Sequence, residues 1–322
     1  MSSEPILVLG TAQLGEKYGI QNVTESHDIE KAKDMVKKCI SNGIYTFDTA
    51  RAYGDSEFIL GQILPRIYKM HNDGEMSHRP HVITKVHSLK EEEYMNADLR
   101  IKAIETSIAQ SLSHLNMLML DTLLLHSFND YIKYKDIWEF MQTCQKQDKV
   151  MHLGCSIYTV QEAIQLLTDS SVAHIQIPVN ILDSQWNDPT FLDLVNTRRL
   201  ENNNRFTIHC RSIFLQGILI AETDNLPTAA VINYDILPVI NKMETFVKRW
   251  GLSCRVELCI AYVKALGWVD GIILGADNID QLQQNIDIFE SSRALTNNEL
   301  IEVQRAFVNI PRSLLNPYNW NV

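Results

Sequence analysis

Four polar side chains follow or interrupt short apolar runs, and their types suit proton transfer to a carbonyl group. The stretch FDTARAYGDSE, residues 47–57, carries Asp48 at the end of an apolar run and Tyr53 just beyond it. Lys85 lies within ITKV, and His126 follows three leucines. Because a charge in apolar surroundings needs a partner, we predict an ion pair between Asp48 and Lys85.

The chemistry of these four side chains is coherent. A lysine beside Tyr53 should favour the phenolate and lower the tyrosine pKa from its reference of about 10 toward working pH. Such a tyrosine can protonate a carbonyl oxygen as that oxygen gains charge, while a neutral His126 donates a hydrogen bond to it. Each residue alone could have a structural role, such as a helix cap at Asp48 or a core histidine at position 126. Together they suit reduction of a C=O group beside a hydride donor.

Eight short apolar runs, each followed by a longer amphipathic stretch, must position these side chains. Runs of this length without alternation are typical of strands buried on both faces of a parallel sheet. Their repetition predicts an α/β protein, a single-domain (β/α)₈ TIM barrel over residues 1–322, with functional residues at the carboxyl ends of the strands. The runs are residues 6–9, 43–47, 81–86, 122–126, 151–155, 174–178, 206–210 and 271–275.

A doubly wound open sheet is the alternative fold. It would need a G-x-G-x-x-G turn after the first strand, and the sequence there, LGTAQLGEKYG, has a different glycine spacing. Metal chemistry is disfavoured because the first strand has no H-x-H and no carboxylates and histidines cluster at strand ends, so we predict no metal site. Schiff-base chemistry on Lys85 is also disfavoured, because a charged lysine is a poor nucleophile.

Composition limits the partners. The 322 residues are 45% hydrophobic and carry a formal net charge of −10, which gives no general attraction to nucleic acid or anionic membranes. None of the six cysteines forms a C-x-x-C pair, so we interpret them as buried thiols in a reducing compartment, with metal ligation or disulfides as the alternative. The first residues lack a basic region, and no apolar stretch approaches the roughly 20 residues of a membrane span. We expect a cytoplasmic monomer or small homo-oligomer acting on a small carbonyl substrate.

The sequence resembles the aldo-keto reductase family from LGTAQLG near the start to GIILGADNIDQLQQNI near the end. The segments FDTARAYGDSE, ITKV and LLLH match the family's Asp-Tyr-Lys-His tetrad, which falls on Asp48, Tyr53, Lys85 and His126. The resemblance implies a (β/α)₈ barrel and hydride transfer to an aldehyde or ketone from NADPH, less often NADH. It also implies that Tyr53 is the proton donor.

The same resemblance implies a set of cofactor-binding residues. Those at the nicotinamide half are Gly10, Thr11, Ala12 and Asp48, with Ser156 and Gln176 at the carboxamide and Arg211 at the ring. Those along the pyrophosphate are Ser212, Phe214, Gln216 and Gly217. Those at the adenosine end are Gly275, Ala276, Asp277, Asn278, Gln281, Gln284 and Asn285.

Three residues depart from the family's pattern. Ile157 follows Ser156 where the family often has asparagine, and Arg211 replaces an aromatic ring that stacks on nicotinamide. A guanidinium there should favour neutral reduced nicotinamide or contact an anionic substrate group, with a structural ion pair as the alternative. Asp277 lies in a segment without basic residues, so we predict weakened NADPH preference unless Arg211 or Arg255 reaches the phosphate.

The substrate is less constrained. Polar and aromatic residues in the loops and the C-terminal tail are candidates for its pocket: Tyr18, Phe128, Tyr131, Tyr158, Trp186, Asn187, Tyr318 and Trp320. The segments LGTAQLGEKYGIQN and RSIFLQG resemble bacterial reductases associated with sugar and surface-polysaccharide pathways, which favours a keto-sugar. Some aldo-keto-reductase-like proteins are regulatory subunits of membrane channels, so a cofactor-binding subunit with little turnover is the alternative function.

Overall fold

The computed structural model describes residues 4–15, 29–201, 206–317 and 320, so that Tyr18 and Tyr318 lie outside the described residues. Eight parallel strands close into a barrel in chain order, which confirms the predicted (β/α)₈ fold. The strands are β1 Ile6–Gly10, β2 Thr46–Asp48, β3 His81–Lys85, β4 Leu120–Leu125, β5 Val150–Ser156, β6 His174–Pro178, β7 Thr207–Arg211 and β8 Gly271–Leu274.

Helices connect the strands around the outside of the barrel. In the first half these are α1 Ala12–Gly15, α2 Ile29–Ser41, α3 Ser56–Asn72, α4 Ala97–Leu115, α5 Phe128–Lys133, α6 Lys135–Lys146 and α7 Val160–Leu167. In the second half they are α8 Pro189–Glu201, α9 Ala229–Ile232, α10 Leu237–Trp250, α11 Arg255–Lys264, α12 Ile279–Ser291, α13 Asn297–Ala306 and α14 Arg312–Leu315. Short 3₁₀ helices cover Glu91–Tyr94, Ser184–Asn187, Ile218–Ile220 and Thr223–Asn225.

Sequence periodicity explains which helix faces are buried. Helix α2 buries Ala32, Met35, Val36 and Cys39, a stripe with the 3.6-residue period of an amphipathic helix. Strand β2 is shorter than predicted and begins at Thr46, because the turn before it places Gly43 at φ 76°, in the left-handed region. All six cysteines lie in the described residues and are unpaired, five of them buried.

The register of the strands aligns polar side chains at the carboxyl end of the barrel. Asp48 of β2 is opposite Gly10 of β1 and Ile83 of β3, and Ser156 of β5 is opposite Gln176 of β6. Since neighbouring strands end at similar heights, the residues that follow them converge on one mouth of the barrel.

The amino end of the barrel holds a second polar region that the sequence did not lead us to expect. A cavity of about 230 Å³ lies there, lined by Ile6, Thr46, His81, Thr122, His152, Ala173, His174, Thr207 and His209. His81 Nε2 and Thr122 Oγ1 are 2.9 Å apart, and the rings of His174 and His209 meet edge to face at 4.5 Å. Barrel interiors are usually filled by branched aliphatic side chains, so four imidazoles are an unusual lining.

Candidate active site

The buried ion pair predicted from the sequence is present. Lys85 Nζ donates to both carboxylate oxygens of Asp48, at 2.8 and 2.9 Å, and to the carbonyl oxygen of Thr49 at 3.0 Å. Gln176 Nε2 also donates to Asp48 Oδ1 at 2.6 Å. The Lys85 side chain is only 1% exposed, so these acceptors compensate for the loss of water around the ammonium.

Tyr53 and His126 lie beside this pair. Lys85 Nζ is 5.0 Å from the centre of the Tyr53 ring. The rings of Tyr53 and His126 are 6.3 Å apart at an interplanar angle of 87°. The structure therefore brings all four predicted catalytic residues together at the carboxyl end of β2, β3 and β4.

His126 is a neutral imidazole in this environment. Burial, followed by the charges of Lys85 and Arg211, lowers the pKa of His126 to about 3. Its Nδ1 is buried and has no hydrogen-bond partner among the described residues. A neutral imidazole has one donor and one acceptor nitrogen, so His126 can still donate a hydrogen bond to a carbonyl oxygen.

The turn that carries Tyr53 is fixed at both ends. Ser56 Oγ lies 2.6 Å from Thr11 Oγ1 and 2.9 Å from Thr49 Oγ1, which ties the start of α3 to the ends of β1 and β2. Gly15 packs against the same turn, where an added Cβ would overlap the carbonyl oxygen of Tyr53. These contacts determine where the phenol lies relative to Lys85.

A second set of contacts fixes the same turn from outside the barrel. Arg51 Nη1 is 2.6 Å from Glu57 Oε2, and Thr84 Oγ1 donates to Glu57 Oε1 at 2.6 Å. Arg51 also contacts Gln110 and His114 of α4. The loop bearing Tyr53 is thus anchored to both α3 and α4.

A cleft opens from Asp48 and Tyr53 across the barrel mouth toward the start of α12. Its lining contains thirteen of the residues that the resemblance assigns to the cofactor: Gly10, Thr11, Ala12, Asp48, Arg211, Ser212, Phe214, Gln216, Gly217, Gly275, Asp277, Gln281 and Asn285. It also contains Gln13, Ile213, Ile220, Ile273 and Leu274, which were not predicted, although Gln13, Ile213 and Leu274 each adjoin a predicted residue in the sequence.

Five predicted cofactor residues do not line the cleft. Ser156 and Gln176 are buried in the barrel, where Gln176 Oε1 has no partner within the described part of the chain. Ala276 is buried, Asn278 caps α12 through Gln281, and Gln284 is exposed on that helix. The Gln176 amide lies beside Asp48, so it remains next to the cleft floor.

The loop after β7 has an unusual backbone. Ser212, Leu215 and Gln216 have φ values of 60°, 48° and 57°, in the left-handed region that side chains other than glycine rarely adopt. Arg255 stabilises this connection by donating to the carbonyl oxygens of Leu219 and Ala221, both at 2.8 Å. Arg255 is therefore engaged with the backbone of this loop and is not part of the cleft lining.

Asp277 is the acidic group at the far end of the cleft. Burial raises the pKa of its carboxyl, and its Oδ1 is buried with no hydrogen-bond partner among the residues described. Its backbone N–H donates to Gln281 Oε1 at 2.6 Å. An unpaired buried carboxylate oxygen facing a cleft can accept a hydrogen bond from a ligand hydroxyl.

The predicted substrate residues separate into two groups. Tyr158 lies under the Arg211 guanidinium, and Phe128 and Tyr131 are half-buried with ring centres 5.7 Å apart. By contrast, Trp186 is 1% exposed and packs on Phe191 and Trp268. Trp320 Nε1 donates to the carbonyl oxygen of Leu314, and Asn187 accepts from Gln304. None of the predicted substrate residues that the structure describes belongs to the cleft lining, although Tyr158 contacts Arg211, which does.

Comparison with known proteins agrees with this architecture. The family model described as Aldo/keto reductase family matches residues 6–306. This chain therefore belongs to the aldo/keto reductase family.

Two curated relatives are similar over part of their length. D-arabinose 1-dehydrogenase of Saccharomyces cerevisiae is 27% identical over 164 residues, which cover 50% of this chain and 45% of the yeast protein. Aldo-keto reductase dtxS3 of Metarhizium robertsii is 25% identical over 175 residues, covering 48% of this chain and 46% of that protein. The chain thus spans about half the length of the curated relatives that it matches.

A solved structure shares the fold over nearly the whole chain. Aldo-keto reductase AKR11C1 from Bacillus halodurans, in its holo form, superposes with a TM-score of 0.68 at 19% identity, covering 93% of this chain and 91% of that one. In the described part of this chain, no helix is both long and apolar enough to cross a membrane. The described residues also contain no group of three His, Cys, Asp or Glu side chains suited to hold a metal ion.

Proposed function

We propose that this protein is an NAD(P)H-dependent oxidoreductase that reduces an aldehyde or ketone to an alcohol. The observation that carries the proposal is the buried Lys85–Asp48 pair beside Tyr53, at the floor of a cleft. A cation held by three oxygen acceptors next to a phenol favours transfer of the phenolic proton. Family membership supports the same reaction class.

The roles of the four residues follow from their positions. Tyr53 gives its hydroxyl proton to the carbonyl oxygen, and Lys85 stabilises the phenolate that remains. Asp48 holds the Lys85 ammonium in place, and neutral His126 donates a hydrogen bond to the same carbonyl oxygen. A proton from solvent then restores Tyr53. The nicotinamide cofactor, when bound, supplies the hydride that reaches the carbonyl carbon.

The residues present fit a nicotinamide dinucleotide. Gln176 has a buried amide oxygen without a partner in the described structure, which suits the amide hydrogens of a carboxamide. Asp277, at the other end of the cleft, also has an oxygen with no partner among the described residues, which suits a ribose hydroxyl. Because a carboxylate repels a 2′-phosphate, we propose that NADH is used at least as well as NADPH.

The substrate we propose is a sugar-derived carbonyl compound. The yeast relative is named as a dehydrogenase of D-arabinose, which supports a sugar as the reacting molecule. The cleft floor combines polar groups at Asp48, Tyr53 and Gln13 with apolar Ile273. Such a mixture suits a polyhydroxylated chain better than a purely apolar aldehyde.

Replacement of the proton donor tests the proposal. We expect Tyr53→Phe to lower kcat/KM for cofactor oxidation with aldehydes and keto-sugars by roughly 100-fold or more, since general acid catalysis contributes factors of that size. The measurement is loss of NADH or NADPH absorbance, together with the cofactor dissociation constant from fluorescence. The matched control is Tyr45→Phe, because Tyr45 stacks on His78, away from the cleft.

The alternative of a regulatory subunit predicts a different result. Such a protein would bind the cofactor tightly and oxidise it very slowly. Its rate of cofactor oxidation would be no lower in Tyr53→Phe than in the wild type. A co-purifying membrane partner together with those kinetics would contradict the enzymatic proposal.

A further inference from the structure

We propose that Arg211 selects carbonyl substrates that carry a carboxylate or phosphate group near the reacting carbon. This inference rests on the proposed carbonyl reduction and adds the charge class of the substrate. Arg211 ends β7 and lines the cleft together with Asp48 and Tyr53.

The charge balance of the cleft supports an anionic partner. Arg211 is the one basic side chain among the described residues that line the cleft. The negative charge of Asp48 is compensated by Lys85 beneath it, whereas Asp277 lies toward the adenosine end. Arg211 is thus the cationic side chain that the described lining offers on the side of the cleft where Tyr53 lies.

The charge of Arg211 also contributes, after burial and the charge of Lys85, to lowering the pKa of His126, which accords with the place of Arg211 beside Tyr53 in the cleft lining.

The guanidinium is held in a defined plane. Its central carbon lies 4.5 Å from the centre of the Tyr158 ring, and Nη2 donates to the carbonyl oxygen of Ile157 at 3.2 Å. That peptide is itself fixed, because Ile157 N–H donates to the Gln176 carbonyl oxygen and Tyr158 N–H donates to Glu162. A planar, oriented guanidinium matches a carboxylate or phosphate better than a mobile lysine would. Tyr158 is therefore a positioning residue for Arg211.

Matched substrates that differ only in charge test this assignment. The first pair is phenylglyoxylate and its methyl ester, which place the charge next to the carbonyl. The second pair is 4-carboxybenzaldehyde and its methyl ester, in which the charged group lies on the opposite side of the benzene ring from the aldehyde. In the wild type, kcat/KM should be at least about 10-fold higher for the anion in one pair.

Variants assign the preference to Arg211. Arg211→Gln should reduce the anion-to-ester ratio of kcat/KM by roughly 10- to 100-fold, the range for loss of one hydrogen-bonded charge, and Arg211→Lys should restore part of it. Tyr158→Leu should lower the ratio, whereas Tyr158→Phe keeps the ring and should keep the ratio. Arg249→Gln is the matched control, because Arg249 is exposed and pairs with Glu302. We compare the anion-to-ester ratio of kcat/KM because an effect of a variant on cofactor binding changes both values equally and cancels in the ratio.

Two kinetic outcomes overturn the inference: a wild type without anion preference in either pair, or an Arg211→Gln variant that loses activity equally on anion and ester. The second result would assign Arg211 to the cofactor or the fold. Calorimetric binding of mandelate and methyl mandelate to the cofactor complex keeps the test independent of turnover. If the wild type reduces no substrate, the proposed function fails. A mandelate preference lost in Arg211→Gln would still support the anion site, and equal binding of both ligands would overturn it.

Discussion

Asp277 is the residue that we propose sets the cofactor preference. Its Oδ1 is buried without a hydrogen-bond partner in the described part of the chain, and it lies at the end of the cleft that we assign to the adenosine ribose. We expect Asp277→Asn to raise the ratio of kcat/KM with NADPH to that with NADH by roughly 10-fold, because about 1.4 kcal/mol of repulsion is removed. Steady-state kinetics with both cofactors at fixed substrate measure this ratio.

The control for that experiment lies in the same segment. Asp280 is exposed in the first turn of α12, and Asp280→Asn should leave the ratio within about twofold of the wild type because exposed charges are screened by salt. An NADPH preference already strong in the wild type would argue against any repulsive role for Asp277.

Contacts between individual side chains could be predicted from the sequence where a buried charge allows few possible partners. Two opposite charges in apolar strands are costly to bury unless they form an ion pair, so the Asp48–Lys85 pair could be predicted from the sequence. The stacking of Arg211 on Tyr158 could not, because the contact joins residues 53 positions apart, one at the end of β7 and the other in the loop after β5. Trp186 was a pocket candidate from its loop position, yet two other aromatic rings bury it.

At the scale of elements, Glu57 links the Tyr53 turn to α3 and β3. Its side chain is fully buried and contacts both Arg51 and Thr84. We expect Glu57→Ala to lower the free energy of unfolding by about 3 kcal/mol, because it leaves the largely buried Arg51 without its carboxylate partner. Urea denaturation followed by circular dichroism gives this value.

An exposed ion pair provides the comparison. Glu302 pairs with Arg249 on the surface, and Glu302→Ala should cost less than about 1 kcal/mol. Losses of equal size in the two variants would mean that the buried pair contributes no more than a solvated one. A lower kcat in Glu57→Ala would further show that the turn positions Tyr53.

The elements themselves were largely predictable. Eight apolar runs and their helical spacers predicted all eight strands, because strands buried on both faces must be apolar. Boundaries were less predictable, as at β2, where the turn at Gly43 shortens the strand. The amino-terminal cavity was not predicted, although His81, His174 and His209 all lie within the predicted apolar runs. These histidines lie far apart in the chain and meet only when the barrel closes.

For the whole molecule, the imidazole-lined cavity makes stability depend on pH. Burial lowers the pKa of His209 to about 3, and lowers the pKa values of His81 and His174 as well. The unfolded chain, with histidine pKa values near 6.5, binds more protons than the folded chain at moderately acidic pH. The contribution of these buried histidines to the free energy of unfolding is therefore fully present above about pH 6.5 and is lost as the pH decreases toward 3.

Removal of one buried imidazole tests this dependence. His209→Leu should reduce the slope of unfolding free energy against pH between about 6 and 4 by up to about 1.4 kcal/mol per pH unit, the contribution of one proton. Urea unfolding at a series of pH values measures the slope. His78→Gln, on the exposed surface, is the control and should leave it unchanged. An identical slope in His209→Leu and wild type would contradict the explanation.

The hydrogen bond from Gln176 to Asp48 also helps to specify the register of strand β6 in the barrel. Strand β6 directs His174 and Gln176 into the barrel, and therefore Ile175 and Ile177 toward the surrounding helices. Slippage by one residue would turn the isoleucines inward, and the apolar pattern opposes it. Slippage by two residues would preserve that pattern but separate Gln176 from Asp48 and leave a buried carboxylate with one fewer donor. The polar contacts proposed for chemistry thus also distinguish the native strand alignment from its nearest competitor.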